Sequence, residues 1–294
     1  VNPALERLGF AAADRAVVLH ADDVGMCHAS LAAFAELAGG GLAVSGSLMV
    51  PCPWFPAAAA FCRAHPEVDA GVHLTLTSEW EGYRWSPLST RDPASGLCDE
   101  QGTFPRHPRE VAARGTQEAV ETEMAAQLDR AAHAGLSFSH VDAHMFTVLH
   151  PRFLDAYVRL AVARQALPLL WRIDGPLGAL GEAEAAAARR VTGEWAQRGL
   201  PVFDHLVRLP LMQADDRLEQ ARAAFAALPP GLAHCIFHPA LDTPELRAIT
   251  PDWRARAADF AVLAGAALRR CLTGLGIHVL TYRHLGRAAP TPST

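Results

Sequence analysis

The sequence predicts an α/β fold, a (β/α) barrel-like architecture of about seven to eight parallel strands with surrounding helices. Short β-rich runs alternate with longer stretches of helical period, and parallel neighbours need crossovers of the kind those stretches supply. About eight such units share 294 residues, which favours a closed or nearly closed barrel over an open doubly wound sheet.

The first strand is the buried-type run Ala16 to His20, followed by a helix from about His28 to Ala38 that stops at Gly39, Gly40 and Gly41. Val44 to Val50 gives the second strand, ended by the breakers Pro51 and Pro53, with a helix over Ala57 to His65. Gly71 to Leu76 is the third strand. A long Trp-, Pro- and Gly-rich connection, about 77–115, follows, and its length marks it as a lid or binding loop. Thr116 to Ala134 returns to helical period before the fourth strand, Ser139 to Ala143. Helices are expected over Phe153 to Arg164, Glu182 to Gln197, Asp215 to Leu228 and Asp252 to Thr273. Strands are expected over Leu169 to Ile173, Pro201 to Phe203, Leu232 to Phe237 and Ile277 to Leu280. No linker-like stretch divides residues 1–294, so a single barrel domain is expected.

Half of the residues are hydrophobic and 19% are charged, which is enough to bury a sizeable core. The formal net charge of -5, with no run of Lys or Arg, supplies no basic field for a nucleic acid. Glu6, Arg7 and Asp14 interrupt the first residues, and no apolar stretch reaches membrane length, so a cytoplasmic, non-membrane chain is the expectation. Six cysteines without a CxxC pair suggest buried thiols, and a homo-oligomer is left open.

In such barrels the chemistry sits at the C-terminal ends of the strands. There the sequence places Asp22-Asp23, His73, the alternation His140, Asp142, His144, and His238 before Pro239. Adjacent carboxylates repel each other, so a cation is their natural partner, although a carboxylate pair that caps the following helix is the competing reading. Three polar residues on one strand face are expensive without partners. A single metal ion held by Asp23, His73 and His144 accounts for that cost, because one carboxylate and two imidazoles with open positions suit Lewis-acid chemistry. Asp142 then orients an imidazole or makes a structural ion link, and His238 is placed to give a proton to a leaving amine. Arg172 could hold a polar substrate group or make an ion pair, and Trp80 and Trp85 could face a sugar or pack the loop.

The pieces Ala21-Asp22-Asp23-Val24-Gly25, Gly71-Val72-His73-Leu74, Asp142-Ala143-His144 and His238-Pro239, in that order, resemble the YdjC or ChbG-like carbohydrate deacetylases, relatives of the polysaccharide deacetylases. The resemblance implies a barrel-like fold and hydrolysis of an acetamido group on a sugar with one divalent ion, Zn or Mg. It casts Asp22 as the base, Asp23, His73 and His144 as ligands, and His238 as the acid. The partner it implies is a small carbohydrate. Val24 stands where the family usually has Phe, and Met145-Phe146-Thr147 stands where many members carry further histidines that line the sugar pocket. Rival readings are an esterase or amidase acting on a non-sugar substrate, and a sugar-binding protein without turnover.

Overall fold

The computed structural model describes residues 2–173 and 181–288. Among the described residues eight strands form one sheet: β1 (Arg15–Val24), β2 (Ser45–Leu48), β3 (Asp69–Leu74), β4 (His140–Ala143), β5 (Leu167–Pro168), β6 (His205–Arg208), β7 (Gly231–Phe237) and β8 (Ile277–Leu280). Every strand pairing is parallel. The order is β5-β4-β3-β2-β1-β7-β6, with β8 beside the first half of β1. A parallel bridge between Trp171 and Phe203 joins the segment after β5 to the segment before β6, so the sheet curls until its two ends meet. Helices between the strands surround it, which gives the barrel-like α/β fold that the repeated units predict.

The fifth and sixth strands lie elsewhere than their apolar runs suggest. Leu169 to Ile173 and Pro201 to Phe203 form the seam instead: Arg172 N–H donates to the Phe203 carbonyl and Phe203 N–H to the Leu170 carbonyl. The helix expected over Asp252 to Thr273 is two, Trp253–Ala264 and Ala266–Gly274, broken where Gly265 takes an extended conformation. Within 77–115 a helix, Pro108–Arg114, packs against the segment His144–Leu149, and Trp85, Leu97, Phe104 and Val111 of the same connection are buried. Glu123 pins it by accepting hydrogen bonds from the Leu88 and Ser89 N–H groups and the Ser89 hydroxyl. The connection is therefore packed as a wall.

Period-two alternation sorts β1 between the two sides of the sheet. Val17 and Leu19 pack with Ala233, Cys235 and Phe237 under the helices. Ala16 and Val18 face the ring's interior with Leu232, Phe203 and Leu280, closed off by Ala4 and Leu5 of the helix Pro3–Arg7. Beyond this apolar floor the interior turns polar: His20, His140 and His234 are fully buried there, and Asp22, Ser47, His73 and Asp142 follow towards the strands' C-terminal ends. Burying so many polar groups is tolerable only if each has a partner.

Candidate functional site

Strict alternation would send Asp22 and Asp23 to opposite faces of β1. Instead Asp23 takes φ +62, and the β1–β2 register slips between Ala21 and Val24, so both carboxylates reach one end of the barrel. A left-handed conformation costs a residue with a side chain about 1–2 kcal/mol. Met145 and Phe146, directly after His144, are left-handed as well. Strain concentrated at three positions around one cluster is characteristic of a functional site.

Asp23 Oδ1 lies 3.3 Å from His73 Nε2 and 3.0 Å from His144 Nδ1. All three side chains are buried, and one donor atom from each falls within 4.8 Å of the others, a spacing that one metal ion can bridge. Asp23 Oδ2 accepts from the Arg256 guanidinium at 2.7 Å, which leaves Oδ1 as its free donor. Behind His73, Nδ1 meets Asp142 Oδ1 at 2.8 Å, and Asp142 Oδ2 accepts from the Ser47 hydroxyl at 3.0 Å. His144 Nε2 meets Glu79 Oε2 at 3.1 Å.

The charges explain what such a cluster asks for. Asp22, Asp23, Asp142 and Glu79 converge on it, and Arg256 is shared with Asp252. Burial pushes the His73 and His144 pKa values down, but Asp142 and Asp22 carry His73 well above its ordinary range, and Glu79 and Asp23 raise His144 to about 9. Burial would raise the Asp23 carboxyl, yet His144 and Arg256 hold it well below its usual value. With protein groups alone, protons on two imidazoles supply the positive charge; a divalent ion in their place fits both the donor geometry and the charge.

Asp22 turns Oδ1 to His20 Nδ1 at 2.6 Å and Oδ2 toward the cluster, 3.9 Å from both His73 Nε2 and His238 Nε2. His238 is fixed through its backbone, whose N–H donates to Asp259 at 2.9 Å, and Asp259 is itself clamped by both prongs of Arg217 in a fully buried pair. The structure thus brings Asp22, Asp23, His73, His144 and His238 together. Arg172 is not among them. Its side chain pairs with Asp204 at 2.7 Å and lines a cleft with Asn2, Arg7 and Val202, so the ion-pair reading describes it. Trp85 is 3% exposed, its indole N–H donating to the Thr77 carbonyl, and it backs His144 at 6.2 Å. Trp80 keeps partial exposure, edge-on to Trp85 at 5.5 Å and beneath the Arg256 guanidinium.

A family model described as YdjC-like protein matches residues 16–274, which carry every residue of this cluster. The chain belongs to the YdjC-like family. A carbohydrate deacetylase of Thermus thermophilus is 36% identical over 288 residues, 97% of this chain and 98% of that protein. A carbohydrate deacetylase of Brevibacillus brevis is 32% identical over 145 residues, 49% of this chain and 55% of that protein. Among solved structures, a chain from Enterococcus faecalis V583 named for cellobiose-phosphate cleavage superposes with a TM-score of 0.73 at 20% identity, covering 92% of this chain and 99% of that one, and so shares the fold.

In this YdjC-like chain, Arg256, Glu79, Ser47 and His20 are contacts of the cluster that pattern reading did not assign. Arg256 lies 233 positions from Asp23, and the one local signal for it is the Asp252 to Arg256 spacing of a helical ion pair. Ser47 is read from sequence as an ordinary strand residue. Only the β2–β3 register, which sets Ser47 against Gly71, brings it near His73.

Proposed function

We propose that this chain hydrolyses the acetamido group of an N-acetylated sugar, with Asp23, His73 and His144 holding one divalent ion, Zn or Mg. The observation that carries the reading is the convergence of Asp23 Oδ1, His73 Nε2 and His144 Nδ1 beside a free carboxylate oxygen of Asp22. The extensive similarity to a carbohydrate deacetylase supports the substrate class. When bound, the ion would supply Lewis-acid polarisation of the amide carbonyl and lower the pKa of a water.

The rest falls to the protein's own side chains. Asp22 Oδ2 takes a proton from the attacking water as its oxygen bonds to the acetyl carbon. His238 Nε2 gives a proton to the nitrogen as the C–N bond breaks, so acetate and a free amine leave. The base and the acid are 3.9 Å apart, which places both within reach of one tetrahedral carbon. Asp142 keeps the His73 ring in plane with Nε2 toward Asp23, and the Asp259–Arg217 pair holds the turn that carries His238. Trp80 offers the partly exposed ring on which a sugar face can lie.

Acetate release from N-acetylglucosamine and its oligomers, measured with added Zn or Mg and with a chelated control, tests the reading. Metal-dependent release, abolished in Asp22→Asn and His238→Ala, is expected. Turnover of simple acyl esters with none of N-acetylated sugars, or acetate release unaffected by chelation, would overturn it.

A further inference from the structure

A line of hydrogen bonds that the mechanism above does not use crosses the ring's interior. Asp22 Oδ1 meets His20 Nδ1 at 2.6 Å, His20 Nε2 meets His140 Nε2 at 2.8 Å, His140 Nδ1 meets Ser139 Oγ at 2.9 Å, and Ser139 Oγ donates to Asp69 Oδ1. Both imidazoles are fully buried, and Asp69 is 4% exposed. Asp69 opens β3, at the end of the sheet opposite the site, where the Ser45 hydroxyl donates to its Oδ2 at 2.6 Å and Arg283 Nε lies 3.5 Å away. The ring of His140 is held on two sides. Tyr282 stacks on it at 3.9 Å and 6°, and Gly71, its register partner, leaves room where a Cβ would come within 2.4 Å of His140 Nε2.

Counting hydrogens gives the line a direction. Its four links need four hydrogens, whereas neutral His20, neutral His140 and Ser139 bring one each. Both ends are carboxylates, which only accept. Burial works to raise the Asp69 carboxyl, but the Ser139 and Ser45 hydroxyls that donate to it and the Arg283 guanidinium beside it favour the ionised form, so it remains an acceptor. Ser139 therefore spends its hydrogen on Asp69 and must accept from His140 Nδ1. Burial and the neighbouring His20 push His140 down to about 3, which keeps it neutral, so its Nε2 has only a lone pair and must accept from His20 Nε2. That uses one hydrogen of His20, and the 2.6 Å link to Asp22 needs a fourth that the neutral groups of the line do not bring.

We propose that His20 is the positioning residue of Asp22, and that Asp69, from the far end of the ring, sets its polarity. The 2.6 Å link between His20 Nδ1 and Asp22 Oδ1 fixes the carboxylate and leaves Oδ2 as the free acceptor toward His73 and His238. This inference rests on the reading of Asp22 as the base.

The isosteric Asp69→Asn variant of the metal-loaded protein tests it. Its amide can donate to Ser139, which turns its hydroxyl to His140 Nδ1. His140 then donates from Nε2 to His20, and His20 donates from Nδ1 to Asp22. All four links survive with no fourth hydrogen to import. Nitrogen-15 spectra of the histidines are expected to show the His140 hydrogen on Nδ1 in the wild type and on Nε2 in Asp69→Asn. In turnover of N-acetylglucosamine oligomers, His20→Leu is expected to lower kcat by about tenfold or more with KM and metal content unchanged, and His20→Asn to recover part of the loss. The same protonated nitrogen on His140 in both proteins overturns the polarity, a result that does not depend on whether His20→Leu folds. Wild-type kcat in His20→Leu overturns the positioning role. Full turnover by Asp22→Asn removes the base and the positioning role together, whereas an inactive Asp22→Asn beside a fully active His20→Leu removes this inference alone.

Discussion

Asp142→Ala isolates what an outer residue contributes to the ion site. Asp142 is 1% exposed and accepts from His73 Nδ1 at 2.8 Å and from Ser47 at 3.0 Å. Removing it deletes a charge-assisted hydrogen bond, worth about 1.5–3 kcal/mol, while Ser47, 3.0 Å from His73 Nδ1, is left as a weaker neutral partner. The imidazole keeps its place on β3 but loses the contact that fixes its ring angle. The expected loss of metal affinity is about 10- to 100-fold, the range for such supporting residues, or about 1.4–2.7 kcal/mol at 1.36 kcal/mol per decade. Competition of zinc between the protein and a chromophoric chelator measures it. Asp142→Asn, which can still present an oxygen to Nδ1, should fall between the alanine variant and the wild type. Unchanged zinc affinity in Asp142→Ala would refute the claim that this carboxylate positions His73 as a ligand.

Elemental analysis should find the metal lost from His73→Ala and His144→Ala but kept in Asp22→Asn, and full occupancy in His144→Ala would remove His144 from the site. In chelator-treated protein, the His144 pKa of about 9 lies above its unfolded value, so its stabilising effect is fully present below about pH 6.5 and fades as the pH rises through 9. Thermal melts across that range check the sign, and metal loading, which must displace that proton, should tighten over the same rise. Arg217→Met strips the fully buried Asp259 of its cation and should destabilise the fold by about 3–5 kcal/mol in denaturant titration, a loss that a mere surface pair would not show. Trp80→Ala should raise KM by about twofold to thirteenfold, matching the roughly 0.5–1.5 kcal/mol of an aromatic contact, with kcat kept. A fall in kcat at constant KM would remove Trp80 from the sugar platform.

The sequence by itself determined the repeating βα plan and the rim at which the chemistry gathers. Both follow from local periodicity: alternation exposes His140, Asp142 and His144 as one unusually polar face, and each apolar run points its last residues at the same end of the ring. The tertiary structure alone decided the partners. Asp22 and Asp23 share a site because the chain turns left-handed at Asp23, a choice that two adjacent aspartates do not announce. Arg256 takes one oxygen of Asp23 from a helix late in the chain, and Arg172, which stands at an apolar run's end like the true rim residues, is carried to the seam with Asp204. The interior line from Asp22 to Asp69 arises from register, which sets Gly71 beside His140 and Ser45 beside Asp69. Pairing between strands far apart in the chain is a property of the closed ring, and hydrogen-bond direction depends on both ends of a line at once, so neither is written in any local stretch of residues.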